Sequence, residues 1–190
     1  MNVPTKLRIT KIEAACRQID TAIEMFFFDR DPVAIHTMVA ASHEIVHALA
    51  KRKGVADLLF GTNMVKHEFH KRWNEMVVSD GIFFKHADED PDGELEFNPE
   101  SMEVLLMFTL RGLRGMGHRF NGLQAAYWTW FCLHHPASTM IDVFSLNLPS
   151  TTATALRAMP KADFVRTFQE AHRLEKTART LAADAGAMRS

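Results

Sequence analysis

The chain lacks most of the features that would declare a class outright. Its 190 residues include two cysteines, Cys16 and Cys132, far apart and in no ligand spacing. That excludes a disulfide framework and a zinc ribbon, and it fits a reducing compartment. An excess of one charge is missing too: 22 Lys and Arg stand against 23 Asp and Glu. No basic field therefore draws nucleic acid, and no acidic excess marks a disordered tail. No window of about eighteen uncharged apolar residues occurs, and the opening MNVPTKLRITKIEAAC carries charges where a secretory leader has an apolar core. The expectation is a cytoplasmic protein with no membrane span. Alternating strand patterns, internal repeats, low-complexity linkers, Gly-rich phosphate loops and nucleophile elbows are also missing.

What is present is helical periodicity in a chain that is 47% apolar, enough for one substantial core. The pattern predicts an all-α, irregular multi-helix bundle forming one helical domain over residues 1–190, with a tail that frays from about residue 184. Apolar residues recur at three and four from about Leu7 to Phe28. Asp31 and Pro32 offer a cap and a first turn for a second helix, which Gly54 stops. A third helix is drawn from about Asn63 to Val78, broken by SDG. Asn98 and Pro99 start another, which should dissolve in the glycines at 112, 115 and 117. GLQAAYWTWFCLHH is apolar nearly all round, and its YWTWF run is expected to pack in the core. Residues 137–159 read as two short helices on either side of Pro149. The last helix follows Pro160 and runs to about Ala183.

Residues 43–47 read HEIVH, a pattern that sets two imidazoles one turn apart on a helix, able to chelate zinc, with Glu44 free to deprotonate a bound water. On a helical wheel His36, His43 and His47 lie within about 40° of one another, at the border of the apolar face. His36 is roughly 10 Å from His43 along the axis, so a third ligand has to come from elsewhere. His86 and Glu75 are candidates, and so are His67 and His70, three apart in HEFH. NEMVVSD at 74–80 is similar to the second motif of gluzincin peptidases but one residue longer, which rotates Asp80 away.

The stretch DEDPDGELEFNP from Asp88 places Asp88, Asp90 and Asp92 at positions 1, 3 and 5 of an EF-hand pattern and Gly93 at its turn. Position 12 is Pro99, and Glu100 comes one residue late at the start of a helix. Calcium is disfavoured there, and a capped acidic turn is the expectation.

Three blocks, KIEAACRQIDTAIEMFF, DPVAIHTMVAASHEIVHAL and FFKHADEDPDGELEF, resemble a family of uncharacterised bacterial proteins with an FFKHAD-type signature. They cover roughly the first half of the chain, and the resemblance implies a helical fold and no chemistry. A broader likeness is to HEPN domains, small helical bundles of toxin–antitoxin and defence systems. These are often ribonucleases, with an arginine followed four to six residues later by a histidine. His86 is similar to that histidine, while SDGI stands where the arginine belongs. Arg111 and His118 have a matching gap across GLRGMG.

Three function classes stay open. One is an interaction or regulatory module with a protein partner or as a homo-oligomer. The second is a zinc-type metal-binding bundle, hydrolytic if Glu44 acts with His43 and His47. The third is a HEPN-like nucleic-acid-associated domain centred on His86.

Overall fold

The computed structural model describes residues 6–55, 79–86, 88, 90–135 and 149–187. Every regular element among them is helical, as the periodicity predicts. The chain groups into two compact units. One is Met1–Arg119 with Ser138–Asp142, and the other is Phe120–Ala137 with Val143–Ser190.

In the first unit, helix α1 spans Lys11–Phe27, α2 spans Pro32–Arg52 and α3 spans Glu100–Gly115, with α1 and α3 both packed on α2. α1 starts four residues later than its apolar pattern suggests, because Thr10 and Glu13 form a reciprocal cap. The Glu13 carboxylate accepts from the Thr10 backbone N–H at 2.7 Å, and the Thr10 hydroxyl accepts from the Glu13 N–H. α2 starts as expected, with Asp31 accepting from the Ala34 N–H at 2.9 Å and Pro32 in the first turn. The Asn98 side chain accepts from the Glu100 N–H at the head of α3.

All three helices end in the same way. A residue in the left-handed region follows the last turn, and the next N–H reaches back five residues to a helix carbonyl. Gly54 (φ 73) and Gly117 (φ 88) take that position after α2 and α3, while Asp29 (φ 48) takes it after α1. The expected dissolution of α3 at its glycines is thus corrected. Gly112 and Gly115 remain helical, and only Gly117 lies outside. Burial of Leu110 and Leu113 beside Gly112 outweighs the roughly 1 kcal/mol that a helical glycine costs.

The core of this unit is made of Ile19, Ile23, Phe26 and Phe27 from α1, Ile35, Val39 and Val46 from α2, and Leu105, Leu106 and Phe108 from α3, all essentially without exposure. Each such side chain contributes about 1.5–3 kcal/mol by burial. A second correction concerns SDG. Residues 79–83 are helical, so Ser79, Asp80 and Gly81 form part of a turn instead of breaking one. Gly81 allows the close approach, since a Cβ there would come 3.3 Å from the Cβ of Ala40 on α2. The predicted helix at 63–78 lies outside the described residues.

In the second unit, α4 (Gly122–His134) packs on α5 (Ser150–Arg157) and α6 (Lys161–Ala187). The YWTWF run sits in the core as expected, with Tyr127, Trp130 and Phe131 buried. Asn121 and Gln124 cap α4 reciprocally, and Arg157 donates to the Leu133 carbonyl at 2.8 Å, closing its other end. α6 passes the predicted stop near Ala183 and continues through the Ala-rich AADAGA stretch, whose propensity favours helix.

Candidate functional site

The two sequence blocks that stood out, HEIVH and FFKHAD, meet in space. The Lys85 ammonium lies 2.6 Å from the Glu44 carboxylate, 41 residues away in sequence. One residue earlier, Phe84 packs edge-on against His36 of α2, with ring centroids 5.4 Å apart, and Phe97 packs on His36 at the same distance. Phe84 and Phe97 also meet each other at 5.1 Å. Among the described residues, Phe84, Lys85 and Phe97 therefore hold this segment against α2 through one ion pair and a three-ring cluster.

Beneath that segment is a polar seam. His36, Asp80, Ser101, His43 and Thr109 are all buried. Asp80 accepts from the Ser79 hydroxyl at 3.2 Å and from the Ser101 hydroxyl of α3 at 3.4 Å. Among the described residues neither ring nitrogen of His36 has a hydrogen-bond partner, although the residue has no solvent exposure. Burial pushes the His36 ring below the usual imidazole pKa. The Asp80 carboxylate opposes that shift, and the Lys85 ammonium adds to it.

His43 lies one further turn pair along the same face and is bonded differently. Its Nδ1 is 2.9 Å from the Thr109 hydroxyl, which itself donates to the Leu105 carbonyl at 2.7 Å. A hydroxyl has one proton to give, so with that proton on Leu105 the Thr109 oxygen accepts from His43. His43 is thereby the Nδ1–H tautomer, with its lone pair on Nε2. Burial, with His47 as a smaller cause, holds its pKa down to about 3. His47 is half-buried and is also held low by burial, then by Lys51.

This corrects the sequence picture of HEIVH as a border stripe. His36 and His43 are core residues, and only His47 lies at the border. Glu44 points to solvent, 68% exposed in its side chain, and faces Lys85. Among the described residues no group of three or more His, Cys, Asp or Glu side chains is arranged to hold a metal. Three of the candidate third ligands, His67, His70 and Glu75, lie outside the described residues. The fourth, His86, is about half exposed and has Asp88 at 3.9 Å.

Asp88, Asp90 and Asp92 are exposed. The Asp90 carboxylate folds over its own turn, so that a Cβ at Gly93 would overlap it. Arg111 stays on α3, its pKa lowered by burial, and His118 lies past that helix with its Nε2 4.0 Å from the Cys16 sulfur. At that end of α2 a shallow cleft of about 370 Å³ is lined by Ile12, Leu49, Lys53, Met116, Gly117 and His118. Its Lys53 donates to the Met116 carbonyl at 3.3 Å, closing the end of α3.

Sequence reading missed the His36–Asp80–Ser101 seam. Its available signal was the aspartate beside Gly81, read there as a breaker. Apolar residues placed α2 correctly, and α2 is long and apolar enough to cross a membrane. Its burial against α1 and α3 is what a core helix shows. Comparison with family models, curated proteins and solved structures finds no match to this chain.

Proposed function

We propose that the chain is a cytoplasmic helical interaction or regulatory module whose working surface is the junction of α2 with the FFKHAD segment. One observation carries this reading: the Lys85–Glu44 contact joins two distant polar motifs on an exposed face. An exposed ion pair contributes at most about 1 kcal/mol to folding. Placing both motifs together therefore serves recognition better than stability. Half-exposed His86 and the exposed acidic turn that follows extend the same face with titratable and charged groups. The occupant of that face is a protein partner or a second copy of the chain.

The test puts a photo-cross-linkable side chain at position 86 of the intact protein in its own cells, with Arg17 on α1 as an exposed control position. A discrete adduct at 86 that Glu44→Lys diminishes is the expected result, and its mass distinguishes a partner from a second copy. Equal labelling at both positions, or an adduct indifferent to Glu44→Lys, overturns the reading.

A specific observation favours a second reading, metal binding through His43 and His47. The Nδ1–H of His43 is engaged by Thr109, which is how metal-ligating imidazoles are oriented by a second hydrogen bond. A hydrolytic part for Glu44 is opposed by its pairing with Lys85. Elemental analysis of untagged protein decides. Stoichiometric zinc that His43→Ala abolishes supports the site, and metal-free protein whose melting is unmoved by zinc or chelator excludes it.

A further inference from the structure

The His36 ring is an anomaly that the proposed module does not use. A fully buried imidazole with neither nitrogen hydrogen-bonded among the described residues forfeits the desolvation free energy of two polar atoms. Native interiors seldom retain such a group without a reason. The elements around it are specific. Phe84 and Phe97 cover the ring, the 79–83 turn approaches it through Gly81, and Asp80 lies in the same seam, bonded to Ser79 and to Ser101 of α3. The charged groups whose fields reach the ring are Asp80 from the turn and Lys85 from the loop after it.

We infer that His36 is a proton-operated latch: taking up a proton in its aromatic box releases the segment that carries Phe84, Lys85 and Phe97 from α2 and parts Lys85 from Glu44. This rests on the junction being the working surface and assigns that surface a regulator, the proton. The neutral ring tolerates the box. An imidazolium would present two N–H donors, and among the described residues no acceptor lies within hydrogen-bond distance of either nitrogen. Relief requires water at the ring, and therefore movement of Phe84 and Phe97. The covering segment is the part that can yield at least cost. Its described residues are the helical 79–83, a short acidic turn and irregular backbone over 93–98, joined to α2 by one ion pair and ring contacts, whereas α2 and α3 are helices with broadly buried faces. His43 does not duplicate the device. It lies between α2 and α3, so its protonation loosens that helix pair and leaves the segment's cover over His36 to His36 itself.

The experiment is a backbone amide NMR titration of the intact protein from about pH 7.5 to about pH 5. Signals of residues 79–97 should leave their folded positions together while those of α1 and α3 persist. His36→Leu should remove the transition. Asp80→Asn, which takes away the carboxylate that favours the charged ring, should move the midpoint to lower pH. A segment that stays docked throughout, or release that is unchanged in His36→Leu and unmoved in Asp80→Asn, overturns the latch. Cross-linking at position 86 near neutral pH reads the module separately. An adduct there without acid release sinks the latch alone, and acid release without any adduct sinks the module alone.

Discussion

His36 and His43 are the same residue type on the same face of the same helix, both out of contact with water, yet they are bonded in opposite ways. His43 donates to Thr109, which passes its own proton to the Leu105 carbonyl, so that end of the seam is closed. His36 sits among phenylalanines, with neither nitrogen engaged among the described residues. The difference teaches that burial alone does not define the role of a core histidine. A bonded imidazole specifies packing, and an unbonded one stores a cost that protonation or substitution can reveal.

The comparison is broken most forcefully by truncation. His43→Ala removes a buried ring and its hydrogen bond and should cost about 2–4 kcal/mol in chemical denaturation. His36→Leu removes two unsatisfied nitrogens at similar volume and should lie within about 1 kcal/mol of the parent, on either side. Equal, large losses for both would erase the distinction.

Acid gives the next largest effect. With the His43 pKa held down to about 3 against an ordinary 6.5, the unfolded chain binds a proton between those values that the folded chain refuses. Stability from this group is complete above about pH 6.5 and is lost as pH falls toward 3, so it rises with pH across that window. From about pH 7.5 to about pH 5 the loss should be about 2 kcal/mol by urea unfolding, and His43→Leu should flatten that dependence.

Smaller effects sharpen the same contrast. Thr109→Val strands the His43 Nδ1–H in the core and should cost about 1–2 kcal/mol. Lys85→Ala removes only a surface pair and should cost less than about 1 kcal/mol, shrinking further in added salt.

Much of the fold was legible because its signals are local. Asp31 with Pro32, Asn98 with Pro99, and Gly54 mark helix ends by chemistry that neighbouring residues complete. The end of α1 was less legible, because Asp29 adopts a left-handed conformation that glycine usually takes. The candidate site was legible only in part. HEIVH and FFKHAD could each be picked out, but their meeting through Lys85 and Glu44 depends on tertiary packing. The burial of Asp80 escaped notice for the same reason. In isolation SDG reads as a turn, and only the approach of Gly81 to Ala40 makes it part of a packed helical turn. The inward position of His36 and His43 was hidden by a wheel that treats histidine as polar.

The most direct single measurement is a pH titration of the histidine ring nitrogens by long-range proton–nitrogen NMR, with the amides of residues 79–97 followed in the same samples. The account predicts His43 as the neutral Nδ1–H tautomer from about pH 7.5 to about pH 5, and His36 gaining its proton in step with the displacement of the 79–97 amides. A His43 protonated on Nε2, or a His36 that titrates like a free imidazole while those amides stay still, would contradict it.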